Sequence, residues 1–139
     1  LLCFLKWNWQ PAAIFMGDSG STLLGSIFAG ILINTQTYYD FLSIICLYIP
    51  LLIDSSTCLI WRFWNGYNIF NAHKMHLYQR LVLGGLSHEK VALIYLGSIS
   101  FISIFYLINN LLLEFLAVCI TFLFGIYLHL KVASPLYEK

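Results

Sequence analysis

Residues 14–21 read Ile-Phe-Met-Gly-Asp-Ser-Gly-Ser, an aspartate framed by glycine and serine just before a lipid-soluble run. A carboxylate at the mouth of a membrane helix is costly to keep without a partner. Insertion scales charge roughly 2.5–3.5 kcal/mol for an aspartate at a helix centre, and less toward the interface. The small residues around it (Gly17, Ser19, Gly20, Ser21) leave the backbone open to close approach. Asp18 therefore reads as a functional carboxylate at a membrane–water boundary, facing something cationic such as a metal. The structural alternative is that Asp18 only caps the helix that follows, a task Ser19 or Ser21 could also perform.

A second carboxylate, Asp54, falls inside an apolar stretch about six residues before its end, roughly 9 Å deep by helix rise. An ionisable group at such depth is a functional-site hypothesis by default. Its alternative is a hydrogen bond to Ser55, Ser56, Thr57 or another helix. Pro50, one turn earlier, loosens the local backbone. Beyond it comes a polar segment holding His73, Lys74, His76 and Arg80. Two histidines three apart would share one face of a helix and could ligate a metal. With Arg62 nearby, the same residues could instead form a donor cluster for phosphate oxygens. A surface pair accounts for His-x-x-His equally well. Gly84-Gly85 ends the segment, Ser87 suits an N-cap, and His88 would then stand at a helix N-terminus, where anions are favoured. Acid and metal beside basic donors form the layout that phosphoryl transfer needs.

The elements that must position these groups follow from composition. The chain has 139 residues, 60% hydrophobic and 9% charged, with a mean hydropathy of +0.83. Those values exclude a soluble globular domain and a disordered tail, and predict an all-α, polytopic membrane bundle forming one domain over 1–139. A net charge of +1 provides no field for nucleic acid. The four cysteines are scattered through apolar stretches and read as packing residues. The abrupt apolar start, without an initiator Met or a signal-peptide pattern, suggests the C-terminal piece of a longer protein.

Four stretches are long enough, or nearly so, to cross about 30 Å of hydrocarbon: 19–38, 41–60, 90–108 and 111–130, with a loop over 61–89. Four crossings put all seven Lys and Arg on one side, so the positive-inside rule predicts a cytoplasmic loop and C-terminus. In the first span, Ser21, Gly25, Ala29 and Thr22, Ser26, Gly30 form small-residue ridges that suit a bundle interior. The last two spans read as lipid-facing and without chemistry.

The run Asn8-Trp-Gln-Pro-Ala-Ala-Ile-Phe-Met-Gly-Asp18-Ser-Gly-Ser21, with Leu24-Gly25 following, resembles the polyprenyl-phosphate N-acetylhexosamine-1-phosphate transferases of glycosyl transferase family 4. Ala72-His73-Lys-Met-His76-Leu-Tyr-Gln-Arg80-Leu81, then Gly85-Leu-Ser-His88, is similar to the histidine loop of the branch associated with O-antigen and other surface-polysaccharide initiation. The resemblance covers roughly residues 1–95 by motif and the last two spans by hydropathy alone. It implies transfer of an N-acetylhexosamine-1-phosphate from a UDP-sugar to a polyprenyl (undecaprenyl) phosphate, with release of UMP, at the cytoplasmic face of a bacterial inner membrane. Asp18 then matches the Mg²⁺-binding aspartate (Mn²⁺ being the substitute ion), with a catalytic role shared by His76. His73, Lys74, Arg80, Asn8 and Ser21 are carried over as substrate-binding, and Asp54 and His88 as positions of unassigned role. A homodimer is a further expectation.

The family's paired-aspartate motif has no counterpart in these residues and is expected in a missing N-terminal half, without which this piece would be inactive. Where some branches carry more histidines, this chain has Leu77-Tyr78-Gln79. Two other classes compete with the enzyme: a fragment of a secondary transporter using Asp18 and Asp54 for ion coupling, and a non-catalytic membrane subunit. Transporters bind near the bilayer midplane, whereas both acids here lie toward the side of the basic loop.

Overall fold

The computed structural model describes residues 2–9, 13–14, 16–71 and 74–135, and is all-helical over them. Six helices follow in order: α1 Leu2–Asn8, α2 Gly17–Ile33, α3 Tyr38–Trp64, α4 Leu77–Leu83, α5 His88–Leu107 and α6 Leu111–Lys131. The chain forms two compact units, Leu1–Ile45 and Cys46–Lys139.

In the first unit, α2 starts near the expected Ser19 but stops at Ile33, short of the expected Tyr38. Asn34 ends it: its backbone N–H donates to the Gly30 carbonyl at 3.2 Å and its side-chain amide to the same oxygen at 3.1 Å. The next helix opens on a reciprocal cap, Asp40 N–H to Thr37 Oγ1 at 3.1 Å and Thr37 Oγ1 to the Asp40 carboxylate at 2.6 Å. The turn thus falls at 34–37 rather than at the expected Tyr39-Asp40. At 17 residues, α2 spans about 25 Å, less than the hydrocarbon thickness. Its hydroxyls are satisfied internally, Thr22 on the Asp18 carbonyl at 2.8 Å and Ser26 on the Thr22 carbonyl at 2.8 Å. None of its residues is buried, so the close packing that its small-residue ridges suit is not formed within this unit.

Among the described residues, α3, α5 and α6 are long and apolar enough to cross a membrane. They overlap the expected spans 41–60, 90–108 and 111–130, with α3 longer at both ends, from Tyr38 to Trp64, and α5 starting two residues earlier. In the second unit these helices meet around Cys46, Ile102, Ala117 and Val118, with Phe101 and Phe105 edge-on at 5.3 Å. The α5–α6 turn places Asn109 at a φ of 59°, and the Asn110 side chain caps α6 by accepting from Leu113 N–H at 3.2 Å. Outward faces of α5 and α6 stay apolar and exposed (Leu93, Leu96, Leu116, Leu123), as lipid contact requires.

The short helix α4 packs on the ends of α5 and α6 through Leu81, Val91 and Leu128. As the local sequence predicts, Gly84 caps it, Gly85 turns at a φ of 102°, and the Ser87 hydroxyl accepts from Lys90 N–H at 3.4 Å to start α5 at His88. A Cβ on Gly84 would run into the Val132 carbonyl oxygen just past α6. That approach fixes the loop against the membrane helices.

Candidate functional site

Asp18 lies in the first turn of α2. The N-cap position belongs to Met16, which is in helical conformation and makes no side-chain cap. Gly17 precedes Asp18 at a φ of 64°, a left-handed conformation that favours glycine. With Met16 at the N-cap the capping alternative does not describe Asp18, whose side chain is exposed and whose charge suits the helix N-terminus. Ser21 turns its hydroxyl onto the Asp18 carbonyl at 3.0 Å, and Asn8 donates to the Ile14 carbonyl at 2.9 Å, bracing the segment that leads into the motif. Both expected binding residues thus serve the local backbone here.

The second unit carries the loop. Arg62, at the end of α3, is 1% exposed and points into the segment that follows. Its guanidinium donates to the carbonyls of Asn68 and Asn71, contacts Met75 Sδ at 3.7 Å, and lies 6.0 Å from the Tyr67 ring centre. Expected beside the phosphate donors, Arg62 instead organises the loop.

Asp54 is 8% exposed and holds two groups at once. Its Oδ1 accepts from Leu77 N–H at 2.7 Å, and its Oδ2 accepts from the Tyr95 hydroxyl at 2.7 Å. Of the two readings open for Asp54, hydrogen bonding to another helix is the one seen, although the partner lies outside Ser55–Thr57. His76 Nδ1 stands 3.9 Å from Asp54 Oδ1. His76 has extended backbone immediately before α4, so it is not part of a helical His-x-x-His face. His73 lies outside the described residues. The His76 ring stacks on Tyr78 at 5.6 Å, and burial, then the charge of Asp54, raises the Tyr78 hydroxyl above its ordinary pKa.

Arg80, expected to face phosphate, is 5% exposed. It donates through Nε to the Ser134 carbonyl at 2.8 Å and approaches His129 Nδ1 with Nη1 at 2.9 Å. Burial lowers its pKa, against an opposing pull from Asp54. This arginine has no spare face toward solvent and instead ties α4 to the chain beyond α6. Lys74 and His88 are exposed, and His88 opens α5 as expected.

The last two spans, apolar in appearance, still contribute polar groups: Tyr95 from α5 bonds Asp54 and His129 from α6 meets Arg80. Asp54, Arg80, Tyr95 and His129 also line a cavity of about 340 Å³ whose walls include Pro50, Ile53, Ile94 and Phe124.

Among the described residues, no three of His, Cys, Asp and Glu converge as a metal cage. A single exposed carboxylate such as Asp18 suits a different mode, in which Mg²⁺ takes one or two protein carboxylates and completes its shell with waters and substrate phosphates.

Comparison with known proteins agrees with the motif at Asp18. The family model described as "Glycosyl transferase family 4" matches residues 1–36. A probable undecaprenyl-phosphate N-acetylglucosaminyl 1-phosphate transferase of Bacillus subtilis is 35% identical over 102 residues, 68% of this chain and 28% of that protein. A decaprenyl-phosphate N-acetylglucosaminephosphotransferase of Mycobacterium tuberculosis is 34% identical over 108 residues, 67% of this chain and 27% of its own length. A phospho-N-acetylmuramoyl-pentapeptide-transferase of Carboxydothermus hydrogenoformans is 32% identical over 95 residues, 68% of this chain and 29% of the relative. The chain thus spans less than a third of the length of these curated relatives. No solved structure matches it. With the Phe15–Ser21 motif inside the matched region and relatives aligned over two thirds of its residues, the chain belongs to glycosyl transferase family 4.

Proposed function

We propose that this chain is part of a membrane enzyme that transfers an N-acetylhexosamine-1-phosphate from a UDP-sugar to a polyprenyl phosphate at the cytoplasmic face of a bacterial membrane. An oxygen of the lipid phosphate attacks the sugar-bearing phosphorus, the bond from that phosphorus to the bridging oxygen breaks, and UMP leaves. The product is a lipid-diphosphate sugar, the starting unit of a surface polysaccharide.

The observation that carries this reading is that His76 and Lys74 lie just before a short helix that packs on α5 and α6 and bonds Asp54 of α3. A group working there can meet a soluble nucleotide sugar while the lipid stays in the bilayer. Asp18 would hold Mg²⁺, which neutralises diphosphate charge when bound. In the second unit, His76 and Lys74 would donate to phosphate oxygens. The cavity walled by Pro50, Ile53 and Phe124, which Met75 and Leu77 also line, offers an apolar setting in the same unit.

The test is UMP release by the native protein in its own membranes, supplied with polyprenyl phosphate and a panel of UDP-sugars. Release that needs both the lipid phosphate and one UDP-N-acetylhexosamine is the expected result. Release with no dependence on the lipid, or none from any UDP-sugar, would overturn the reading.

A further inference from the structure

We propose that Asp54 is a positioning residue for His76: it orients the imidazole from within the membrane helices and does not itself touch substrate. This rests on the transferase reading for the role of His76, but its geometry stands apart from it. Asp54 is fixed on both sides, by Leu77 N–H at Oδ1 and by the Tyr95 hydroxyl at Oδ2, each at 2.7 Å. With both oxygens engaged, the carboxylate plane has little freedom to turn.

That fixed plane presents Oδ1 to His76 Nδ1 at 3.9 Å. The Nδ1 atom is buried while the side chain keeps 22% exposure, so the accessible edge of the ring is the one away from Asp54, which carries Nε2. Tyr78 lies nearly parallel to the ring at 16°, and the His76 backbone N–H donates to Gln79 Oε1 at 3.3 Å. Carboxylate at one edge, aromatic ring on the face and a pinned backbone together restrict how the imidazole can turn. At 3.9 Å the pair is an ion-pair approach rather than a hydrogen bond; where a carboxylate supports a histidine by its second nitrogen, losing it typically lowers activity about 10–100-fold. Tyr95 extends the chain of support to α5, so the ring is referenced to two membrane helices rather than to the loop alone.

The experiment maps diethylpyrocarbonate labelling of individual histidines by mass spectrometry in the native protein, alongside transfer kinetics. In Asp54→Asn the expected result is several-fold faster labelling of His76 with His88 unchanged, and in Tyr95→Phe a smaller rise. For transfer, kcat falls about 10–100-fold while KM for the UDP-sugar stays within about twofold. Adding Asp54→Asn to His76→Ala costs nothing beyond His76→Ala alone. Unchanged His76 labelling in both variants would overturn the proposal, as would losses that add in the double variant. If Asp54→Asn fails to insert, Tyr95→Phe decides the labelling question. If the native protein transfers nothing, the transferase reading fails while the labelling still decides whether Asp54 orients His76.

Discussion

Arg80 Nη1 lies 2.9 Å from His129 Nδ1, joining two residues 49 positions apart at the seam between α4 and the end of α6. The same guanidinium bonds the Ser134 carbonyl, and Ser134 N–H returns a bond to the Arg80 carbonyl at 3.1 Å. Arg80→Met keeps the apolar stem but strands that carbonyl and removes a buried cation near Asp54. A loss of about 2–3 kcal/mol follows for hydrogen bonds to a charged group. Thermal unfolding in detergent measures it, and an unchanged midpoint would show that the seam contributes nothing.

Gly84 and Gly97 make a matched pair. A Cβ at Gly84 meets the Val132 carbonyl oxygen, whereas a Cβ at Gly97 meets nothing within 4 Å. Gly84→Ala should therefore destabilise by about 1–3 kcal/mol, as overpacking does. Gly97→Ala, within α5, should be neutral or stabilising by up to about 1 kcal/mol. The same unfolding assay compares them, and equal effects would refute the contact.

Asp18→Asn should abolish transfer while leaving the protein inserted and folded. Asn keeps the size and removes the charge, and a site that needs Mg²⁺ loses orders of magnitude. His76→Ala removes one donor, a loss of roughly 2–4 kcal/mol by analogy with other electrostatic stabilisers. Extra Mg²⁺ should partly rescue a weakened metal site but not a missing donor. UMP release across a Mg²⁺ titration separates the two, and wild-type turnover by Asp18→Asn at limiting Mg²⁺ would end the metal assignment.

Topology is open to a direct check. Lys74 follows α3 and Asn110 sits in the α5–α6 turn, so single cysteines at the two positions should label from opposite faces of the membrane. Lys74 should react from the cytoplasm. Labelling of both from one face would exclude the arrangement.

Much of this fold is legible because local chemistry writes it. Apolar runs mark α3, α5 and α6, and Gly84-Gly85, Ser87 and Asn110 punctuate them through conformation and capping that need no distant partner. The break between α2 and α3 is also written locally, in Asn34 and the Thr37-x-x-Asp40 box, but an unbroken count of apolar residues runs past it. The site is different. Asp54 and Tyr95 are 41 positions apart, and Arg80 and Ser134 are 54 apart. Tyr95 is one of nine tyrosines, in a stretch where aromatic residues ordinarily face lipid, and no spacing singles it out. A buried carboxylate announces that it needs a donor, but only the packing of helices says which one. For the same reason the sequence pattern assigns Arg62 and Arg80 to phosphate: a basic residue at a membrane edge looks alike whether it points outward or closes on its own carbonyls.

The segment after α3 gathers around Arg62, whose one side chain reaches Asn68, Asn71 and Met75. One cation therefore holds three separate points of the chain, and withdrawing the guanidinium would release all three together, with Arg62 as their clasp.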